Sequence, residues 1–356
     1  MNNNLTKLGW NETLYTETDP AIIARVITVQ RNSYRISDGE MEYLAHVSGK
    51  FLNAANGAID FPTVGDWVAV EKLRLEKKAV IQHVLPRKSQ LVRQAAGGKT
   101  EAQLVAANLD TIFIVSSLND DLNIRRIERY IVAVYESGAS PVIVLTKKDA
   151  YEEEQLPALI AQVETVAIGV PIIVVSNITG EGIQDLNTYL KPADTVALVG
   201  SSGVGKSTLV NVLSERNVQK TKDVRLDDSK GRHTTTHREL FVLASGALLI
   251  DTPGMRELQL WDGETAVDTA FEDVEDFASA CFFSDCQHDT EPGCRVQEAL
   301  ASGELSQERF DSYQKLLREL AFEKRKQDQK AQLEEKNKWK QRAKNMKATY
   351  NQRGYK

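Results

Sequence analysis

The residues GSSGVGKST, at 200–208, have the types and spacing of a loop that holds a phosphate chain. They follow a short apolar run and precede an amphipathic stretch, so the loop is predicted to join a strand to a helix. Gly200 and Gly205 allow tight turns that bring backbone N–H groups together beside the positive end of that helix. Lys206 is expected to reach the β- and γ-phosphates, and Ser207 to bind Mg²⁺. The predicted phosphate contacts are Gly200, Ser201, Ser202, Gly203, Val204, Gly205, Lys206, Ser207 and Thr208.

Two segments further along the chain carry groups that complete a phosphate site. DTPG, at 251–254, ends an apolar run, and a carboxylate at the end of a strand beside a phosphate loop holds Mg²⁺, usually through water. Asp251 is predicted to take that role, and the backbone of Gly254 can approach the γ-phosphate because glycine has no side chain. In the intervening GRHTTT, Thr235 is expected to give a hydroxyl to Mg²⁺ when the triphosphate is bound, with Thr234 as the alternative.

The segment TKKD, at 146–149, carries groups that could read a guanine base. Asp149 can accept hydrogen bonds from guanine N1–H and N2–H₂, a pair of donors that adenine lacks. The stem of Lys147 can lie over the purine face, whereas Thr146 replaces the usual Asn of this motif and offers a hydroxyl without an amide. A second segment, SNITG at 176–180, is expected to place backbone N–H groups near guanine O6. The predicted base contacts are Thr146, Lys147, Lys148, Asp149, Ser176 and Asn177.

The order of these segments is the reverse of the usual one, because the base-reading segments at 146–180 precede the phosphate loop. A set of neighbouring strands can be cut at one loop and rejoined at another, since chain ends commonly lie close together. The order therefore predicts a circularly permuted nucleotide domain with an intact site. It also suggests a hypothesis for the arrangement. Residues 263–356 follow DTPG directly, so a phosphate contact at Gly254 could act on them without an intervening element.

All three cysteines of the chain lie in one stretch, CFFSDCQHDTEPGC, together with a histidine. Cys281, Cys286, His288 and Cys294 have the spacing C-x4-C-x-H-x5-C, and four such donors suit tetrahedral Zn²⁺. Four protein ligands leave no position for water, so we predict one structural zinc ion per chain. The alternative is three free thiols and an ordinary loop histidine, which the clustering of the cysteines disfavours.

Two kinds of β pattern divide the chain into predicted domains. Residues 1–92 contain five short strand-like runs split by turn residues, which predicts a small closed barrel, with an oligonucleotide-binding (OB) type as one candidate and an all-β adaptor as the alternative. Residues 88–104 are polar and are interpreted as a linker. Over 105–262, apolar runs alternate with helical stretches, as in a parallel sheet covered on both faces. Residues 263–356 are predicted to form short helices around the cysteines and then a long charged helix over about 306–347.

Composition and charge exclude several classes of protein. The 356 residues are 42% hydrophobic and 26% charged, which is typical of a globular chain, and the net charge of −6 argues against a protein that coats nucleic acid over its whole surface. Residues 321–356 nevertheless carry twelve Lys/Arg against four Asp/Glu, which suits either one directed nucleic-acid contact or a solvated helix. The N-terminus lacks the apolar core of a signal peptide, and no apolar run approaches a membrane span. We therefore expect a cytoplasmic protein that does not bind membranes. A monomer is expected as well, although no sequence feature bears on the oligomeric state.

The permuted order, GSSGVGKST, GRHTTT, DTPG and the cysteine cluster together resemble the ribosome small subunit-dependent GTPase A family (RsgA, also called YjeQ) over about residues 20–300. GDWVAV and QLVAANLD agree with the resemblance, whereas Thr146 and the long basic tail depart from the family pattern. The resemblance implies a multidomain α/β protein with an N-terminal OB-type barrel, a permuted P-loop GTPase domain and a C-terminal zinc-binding helical domain. It also implies binding to the 30S ribosomal subunit and its 16S rRNA, with subunit-stimulated hydrolysis of GTP to GDP in late subunit maturation.

The group that would position the attacking water is not obvious. Many small GTPases place Gln directly after D-x-x-G, but this chain has Met255 there. His233, in GRHTTT, is the best candidate, because a neutral imidazole can accept a hydrogen bond from water. The resemblance implies that role for His233. His237 is the alternative, and a loop histidine without any role remains open.

Three functions are compatible with these motifs. The first is a GTPase that acts on the small ribosomal subunit. The second is a GTP-gated RNA-binding protein in which hydrolysis only resets binding. The third, a P-loop ATPase or kinase, is disfavoured by Asp149, which selects guanine.

Overall fold

The computed structural model describes residues 3–12, 19, 22–30, 33–55, 57–94, 102–119, 122–214, 238–251 and 264–326. These residues belong to two compact units, 1–260 and 261–356. Within the described ranges, no helix combines the length and the apolar character that crossing a membrane requires.

The first unit begins with a five-stranded barrel, which confirms the predicted barrel. Its strands are β1 (Ile23–Val29), β2 (Tyr34–Ser37), β3 (Glu42–Val47), β4 (Trp67–Leu73) and β5 (Lys78–Val84). The hydrogen-bonded order is β1-β2-β3-β5-β4, and β4 pairs back onto β1 to close the barrel. Only β3 and β5 run parallel among these pairs, which gives the OB-type connection that the alternation alone left as one candidate.

Short helices accompany the barrel. Helix α1 (Asn3–Thr6) precedes it, and helix α2 (Gly49–Ala54) lies between β3 and β4. Ser48 caps α2, because its hydroxyl accepts the Phe51 N–H at 3.1 Å. The barrel interior is filled by alternating inward-facing side chains, as the period of two along each strand requires. These are Ala24, Val26, Tyr34, Ile36, Tyr43, Ala45, Val68, Val70, Ala79 and Ile81.

The interpretation of residues 88–104 as a linker was wrong. They include strand β6 (Gln90–Gln94) and the start of strand β7 (Ala102–Ala107), which pair antiparallel as a separate two-stranded sheet. The polar residues at the centre of this stretch hid two short strands whose apolar positions are few. Leu91 and the Leu104–Ala107 run are buried, and this burial holds the hairpin against the rest of the unit.

The nucleotide domain is built on the predicted parallel sheet. Its strands are β8 (Thr111–Ser117), β9 (Ser140–Thr146), β10 (Ile172–Val174), β11 (Thr195–Val199), β12 (Glu239–Val242) and β13 (Leu248–Asp251). They lie in the order β10-β9-β8-β11-β13-β12, and all adjacent pairs are parallel except β13 with β12. The connecting helices are α3 (Ile124–Glu136), α4 (Leu156–Glu164) and α5 (Lys206–Ser214), and a 3₁₀ helix spans Ile183–Tyr189.

The strand order explains how a permuted chain keeps its site. A chain that began at β11 would connect the same neighbours in the order 11-12-13-8-9-10, with the phosphate loop first. In this chain the connection over residues 175–194 joins β10 to β11 instead. The neighbours in the sheet do not depend on which loop is cut, so the permuted order predicted from the sequence agrees with the fold.

The barrel and the nucleotide domain share one sheet. Strand β12, which the sequence analysis did not predict, pairs antiparallel with β1 through Thr28 and Glu239. The side chain of Glu239 also lies 3.4 Å from the guanidinium of Arg35 on β2. The barrel therefore continues the parallel sheet rather than lying on a flexible tether.

The second unit is helical in its described part, as predicted. Its helices are α6 (Glu264–Ala270), α7 (Glu272–Ser279), α8 (Arg295–Ser302) and α9 (residues 307–326). Arg309 on α9 pairs with Asp273 at 2.8 Å and lies 4.0 Å from the centre of the Phe271 ring. The buried core contains Phe271, Val274, Val296, Ala299, Phe310, Tyr313, Leu316 and Leu320. Residues 327–356, which hold most of the predicted charged helix, lie outside the described ranges.

Candidate functional site

The carboxyl ends of the parallel strands bring the predicted nucleotide segments to one edge of the sheet. Strand β9 leads into residues 146–149, β10 into 176–177 and β11 into the loop at 200–207, while β13 ends at Asp251. Ligands of open α/β sheets bind at this edge, because helix N-termini and adaptable loops converge there. Segments that are 50 residues apart in sequence thus face one region.

Gly200 and Gly205 fix the shape of the phosphate loop. Both have positive φ, 144° and 92° respectively, where side chains are disfavoured. A Cβ on Gly200 would lie 2.1 Å from the carbonyl oxygen of Val115 on β8, and a Cβ on Gly205 would lie 2.8 Å from Nδ2 of Asn177. Gly200 is therefore required by the close backbone of β8 as well as by its φ, whereas Gly205 is favoured chiefly by its positive φ.

Lys206 and Arg126 bring positive charge to the loop. The Lys206 ammonium donates hydrogen bonds to the carbonyls of Gly200 and Ser201, at 2.7 and 2.5 Å. The Lys206 side chain thus folds back over the phosphate loop to the residues at its start. Arg126, in the first turn of α3, donates to the Ser201 hydroxyl at 2.6 Å. The sequence analysis missed Arg126. The sequence feature that could have indicated it is a basic residue in the first turn of α3, the helix that follows β8. The carboxyl end of β8 lies beside that of β11.

The base-reading loops meet at Asp149. The Ser176 hydroxyl donates to Asp149 Oδ1 at 2.5 Å and orients that exposed carboxylate. Lys147 adopts the left-handed conformation, with φ of 65°, which turns the chain sharply between β9 and Asp149. Lys148 pairs with Glu181, and this hydrogen bond raises the pKa of the lysine. Lys148 is therefore held by a neighbouring loop.

The backbone of residues 176–177 only partly fits the predicted contact with guanine O6. The Ser176 N–H already donates to the carbonyl of Glu181 at 2.9 Å. The Asn177 N–H donates to no group in the described part of the chain, so of the two it is the one suited to O6.

Two side chains link the base loops to the phosphate loop. Thr146 is fully buried, and its hydroxyl donates to the carbonyl of Val204 at 2.6 Å. The Asn177 amide donates through Nδ2 to the carbonyl of Gly205 at 3.1 Å. Thr146 was predicted as a base contact, but its side chain contacts the protein's own phosphate loop.

Several predicted residues lie outside the described ranges. They belong to the stretches 215–237 and 252–263. Their placement is left as predicted from the sequence. These residues are His233, Thr234, Thr235, His237, Gly254 and Met255.

The predicted zinc ligands form a compact cluster in the second unit. The ligand atoms of Cys281, Cys286, His288 and Cys294 all lie within 4.8 Å of one another. The Cys281 and Cys294 sulfurs are 3.9 Å apart, and His288 Nδ1 lies 3.6 and 3.5 Å from them. A tetrahedral zinc ion with bonds of about 2.0–2.3 Å separates its ligand atoms by about 3.5–3.8 Å, so this group could hold the metal.

The surrounding backbone supports this cluster. His288 adopts a left-handed conformation, with φ of 60°, and its carbonyl accepts the Gln297 side-chain amide at 2.7 Å. Burial raises the pKa of the Cys281 thiol, but hydrogen bonds from the N–H groups of Val296 and Arg295 and from the other two cysteines together leave this pKa below its usual value. A thiolate is the form that binds metal.

Known proteins are similar to this chain over most of its length. The RsgA GTPase family model matches residues 84–261. The small ribosomal subunit biogenesis GTPase RsgA 1 of Oceanobacillus iheyensis is 46% identical over 321 residues, which cover 90% of this chain and 91% of that protein. The chain belongs to the RsgA GTPase family. As an RsgA-family protein it is a GTP-hydrolysing enzyme.

Other RsgA relatives extend the comparison. The small ribosomal subunit biogenesis GTPase RsgA of Methanosarcina acetivorans is 47% identical over 287 residues, covering 80% of this chain and 77% of that protein. The crystal structure of YjeQ from Thermotoga maritima is similar with a TM-score of 0.63 at 29% identity, covering 84% of this chain and 98% of that one. The structure of YloQ, described as a circularly permuted GTPase, has a TM-score of 0.61 at 24% identity and supports the fold alone.

A second family model, described as a 50S ribosome-binding GTPase, matches residues 195–330. This match begins at strand β11, immediately before the phosphate loop. It therefore starts where a GTPase domain that was not permuted would start. It leaves out the base-reading segments, which precede β11 in an RsgA chain.

Proposed function

We propose that this RsgA-family enzyme binds the 30S ribosomal subunit through its 16S rRNA and hydrolyses GTP there during late subunit maturation. The names of its relatives, which are 46% and 47% identical, support the small subunit as the target. The OB-type barrel, a fold that commonly binds nucleic acids, supports contact with rRNA. We further propose that the protein acts as a cytoplasmic monomer with domains over 1–92, 105–262 and 263–356.

One observation carries the assignment of the nucleotide site, namely that the base-reading loops and the phosphate loop are hydrogen-bonded to each other at one sheet edge. Asp149, oriented by Ser176, is suited to accept the guanine donors. Lys206 lies across the phosphate loop and would exchange its carbonyl acceptors for phosphate oxygens when a nucleotide binds. Together these loops span a nucleotide from base to phosphate.

Metal ions complete the proposal. Ser207, on the exposed first turn of α5, and Asp251, at the end of β13, are proposed to hold Mg²⁺ with the nucleotide. Thr235 is proposed as a further Mg²⁺ ligand in the triphosphate state. The cluster of three cysteines and His288 is proposed to hold one structural zinc ion, because all four ligand positions are filled by protein.

The water-positioning role is proposed for His233. Since Met255 occupies the position of the usual glutamine, another group must orient the attacking water. His233→Ala is expected to lower the subunit-stimulated kcat on the order of 10²-fold, with little change in GTP affinity. His237→Ala is the matched control in the same segment, and it is expected to retain the stimulated rate.

Multiple-turnover GTPase assays with 30S, 50S or no subunits test the whole proposal. Strong stimulation by 30S subunits alone is the expected result. Stimulation by 50S subunits instead would contradict the target and favour the description of the second family model. Nucleotide-dependent binding to 30S subunits without any stimulation of turnover would favour the GTP-gated RNA-binding alternative.

A further inference from the structure

The carbonyl of Gly205 accepts two hydrogen bonds from different elements. The Leu209 N–H donates to it at 2.8 Å, which is the first intrahelical bond of α5. Nδ2 of Asn177, from the loop after β10, donates to it at 3.1 Å. This side chain thus holds the junction between the phosphate loop and the helix whose positive end faces that loop.

The neighbouring Val204 carbonyl is held by Thr146, at 2.6 Å. Thr146 is fully buried, and its hydroxyl has one proton to donate. The Ser116 carbonyl is also within 3.3 Å, but the shorter contact, to Val204, is the better hydrogen bond. The motif at 146–149 usually begins with Asn, whose amide has two donor protons. In this chain an amide lies at 177, on the other base-reading loop, and bonds to the next carbonyl of the same phosphate loop.

Residues 176 and 177 therefore act on the two halves of the site. The Ser176 side chain holds Asp149, on the base side, at 2.5 Å. The Asn177 side chain holds Gly205, on the phosphate side. Because the two residues are adjacent in the chain, one peptide unit fixes how far the base-reading carboxylate lies from the phosphate loop.

We propose that Asn177 is a positioning residue of the GTPase, which through its amide replaces the amide missing at Thr146 and ties the base-reading loops to the phosphate loop. This inference rests on the proposed assignment of the nucleotide site. Its expected effect is on affinity and on the rate of nucleotide release, since loops held in register bind base and phosphates together.

The local packing agrees with this role. The amide nitrogen must face Gly205, because a carbonyl can only accept a hydrogen bond. The approach is so close that a Cβ on Gly205 would lie 2.8 Å from Nδ2. In the described part of the chain, no donor reaches the buried Oδ1 of Asn177. The hydrogen bond from Nδ2 to the Gly205 carbonyl is therefore the contact that holds this side chain in place.

The test compares Asn177→Ala and Asn177→Leu with Ile178→Ala. Leucine keeps the branched shape and the four side-chain heavy atoms of asparagine but has no hydrogen-bond donor. Ile178 is the next residue on the loop and is 83% exposed. Dissociation rates of a fluorescent GDP analogue and of the corresponding analogue of xanthosine diphosphate (XDP) are measured on the full chain. The temperature is kept well below the melting point of each nucleotide-free variant.

Both Asn177 variants are expected to release GDP about tenfold faster than the wild type, as the loss of one hydrogen bond predicts. The preference for GDP over XDP is expected to stay, because Ser176 and Asp149 are intact. Ile178→Ala is expected to match the wild type. If Asn177→Leu matched the wild type, side-chain volume rather than the hydrogen bond would matter, and the inference would be overturned.

Asp149→Asn serves as a separate arm for the site itself. If it shifts the preference from GDP to XDP while both Asn177 variants behave like Ile178→Ala, the site stands and the role of Asn177 is refuted. If the wild type shows no preference for GDP over XDP, the assignment of the site fails and the inference fails with it.

Discussion

At the residue scale, the proposed choice of guanine over adenine rests on one carboxylate. Asp149 is exposed, and the hydrogen bond from the Ser176 hydroxyl orients its carboxylate. A carboxylate that accepts two guanine donors excludes adenine, because the adenine edge would leave it without those donors. The strength of the selection thus depends on a side chain from a second loop.

Asp149→Asn is expected to weaken GDP binding on the order of 10²-fold, because two charge-assisted hydrogen bonds are replaced by an amide that fits the guanine edge poorly. Affinity for XDP should rise, since the xanthine edge offers an acceptor where guanine has a donor. Competition binding with GDP, XDP and ADP measures both changes. Glu152→Ala, an exposed acidic residue just beyond the motif, is the control for lost negative charge. An unchanged GDP affinity in Asp149→Asn would contradict the assignment.

Residue types predicted which segments meet but not which atoms bond. The spacing G-x-x-x-x-G-K-S locates the phosphate loop, because only a few residue types satisfy its backbone. The partner of Thr146 could not be deduced, since a buried hydroxyl accepts or donates according to its neighbours. Arg126 gave no motif at all, and its contact with Ser201 depends on where α3 begins relative to β11.

At the element scale, burial decided which patterns could be interpreted from sequence. Strands β8, β9 and β11 are buried on both faces and stand out as continuous apolar runs. The hairpin of β6 and β7 was missed, because its strands are short and a polar stretch separates them. Strand β12 was missed for a related reason, since four residues carry too little periodicity to predict a strand.

The helices on either side of the three cysteines and His288 allow the proposed zinc site to be tested. Cys286→Ala removes one of four ligands, so zinc is expected to fall from about one ion per chain to near zero. The second unit should then melt at a lower temperature, because the cluster joins the end of α7 to the start of α8. Ser284→Ala, in the same segment and exposed, is expected to keep its zinc. Metal analysis that found well under one zinc per wild-type chain would contradict the site.

At the scale of the whole molecule, charge is unevenly distributed. Residues 321–356 carry twelve Lys/Arg against four Asp/Glu, whereas the chain as a whole has a net charge of −6. Truncation after Leu320 removes this excess and keeps Leu316 and Leu320, which are buried. If the tail contacts rRNA phosphates, the logarithm of the subunit affinity should fall less steeply with salt in the truncated protein. Binding to 30S subunits over a series of salt concentrations measures this, and an unchanged slope would identify the tail as a solvated segment.

The first unit is joined around a buried arginine. Arg25, on β1, is 1% exposed and lies 5.2 Å from the centre of the Trp67 ring. It donates to carbonyls of the N-terminal segment, the barrel and the start of the nucleotide domain, and to the hydroxyl of Thr195 on β11 at 2.9 Å. The carbonyl acceptors are those of Leu8, Gly65 and Asn108. One guanidinium thus bonds to the N-terminal segment, the barrel and the nucleotide domain, which meet at this junction.

Arg25→Ala is expected to lower the free energy of unfolding by about 3–5 kcal/mol, because several buried acceptors lose a charged donor at once. Arg35→Ala, on the neighbouring strand and 41% exposed, is the control and should change it by about 1 kcal/mol or less. Since β1 pairs with β12, the barrel and the nucleotide domain of the wild type should unfold together in urea. Two probes follow this unfolding: the release of bound GDP, and tryptophan fluorescence, to which Trp10 and Trp67 near the junction contribute together with Trp261 and Trp339. In Arg25→Ala the fluorescence transition should shift to lower urea. A shift no larger than that of Arg35→Ala would show that the junction does not depend on this arginine.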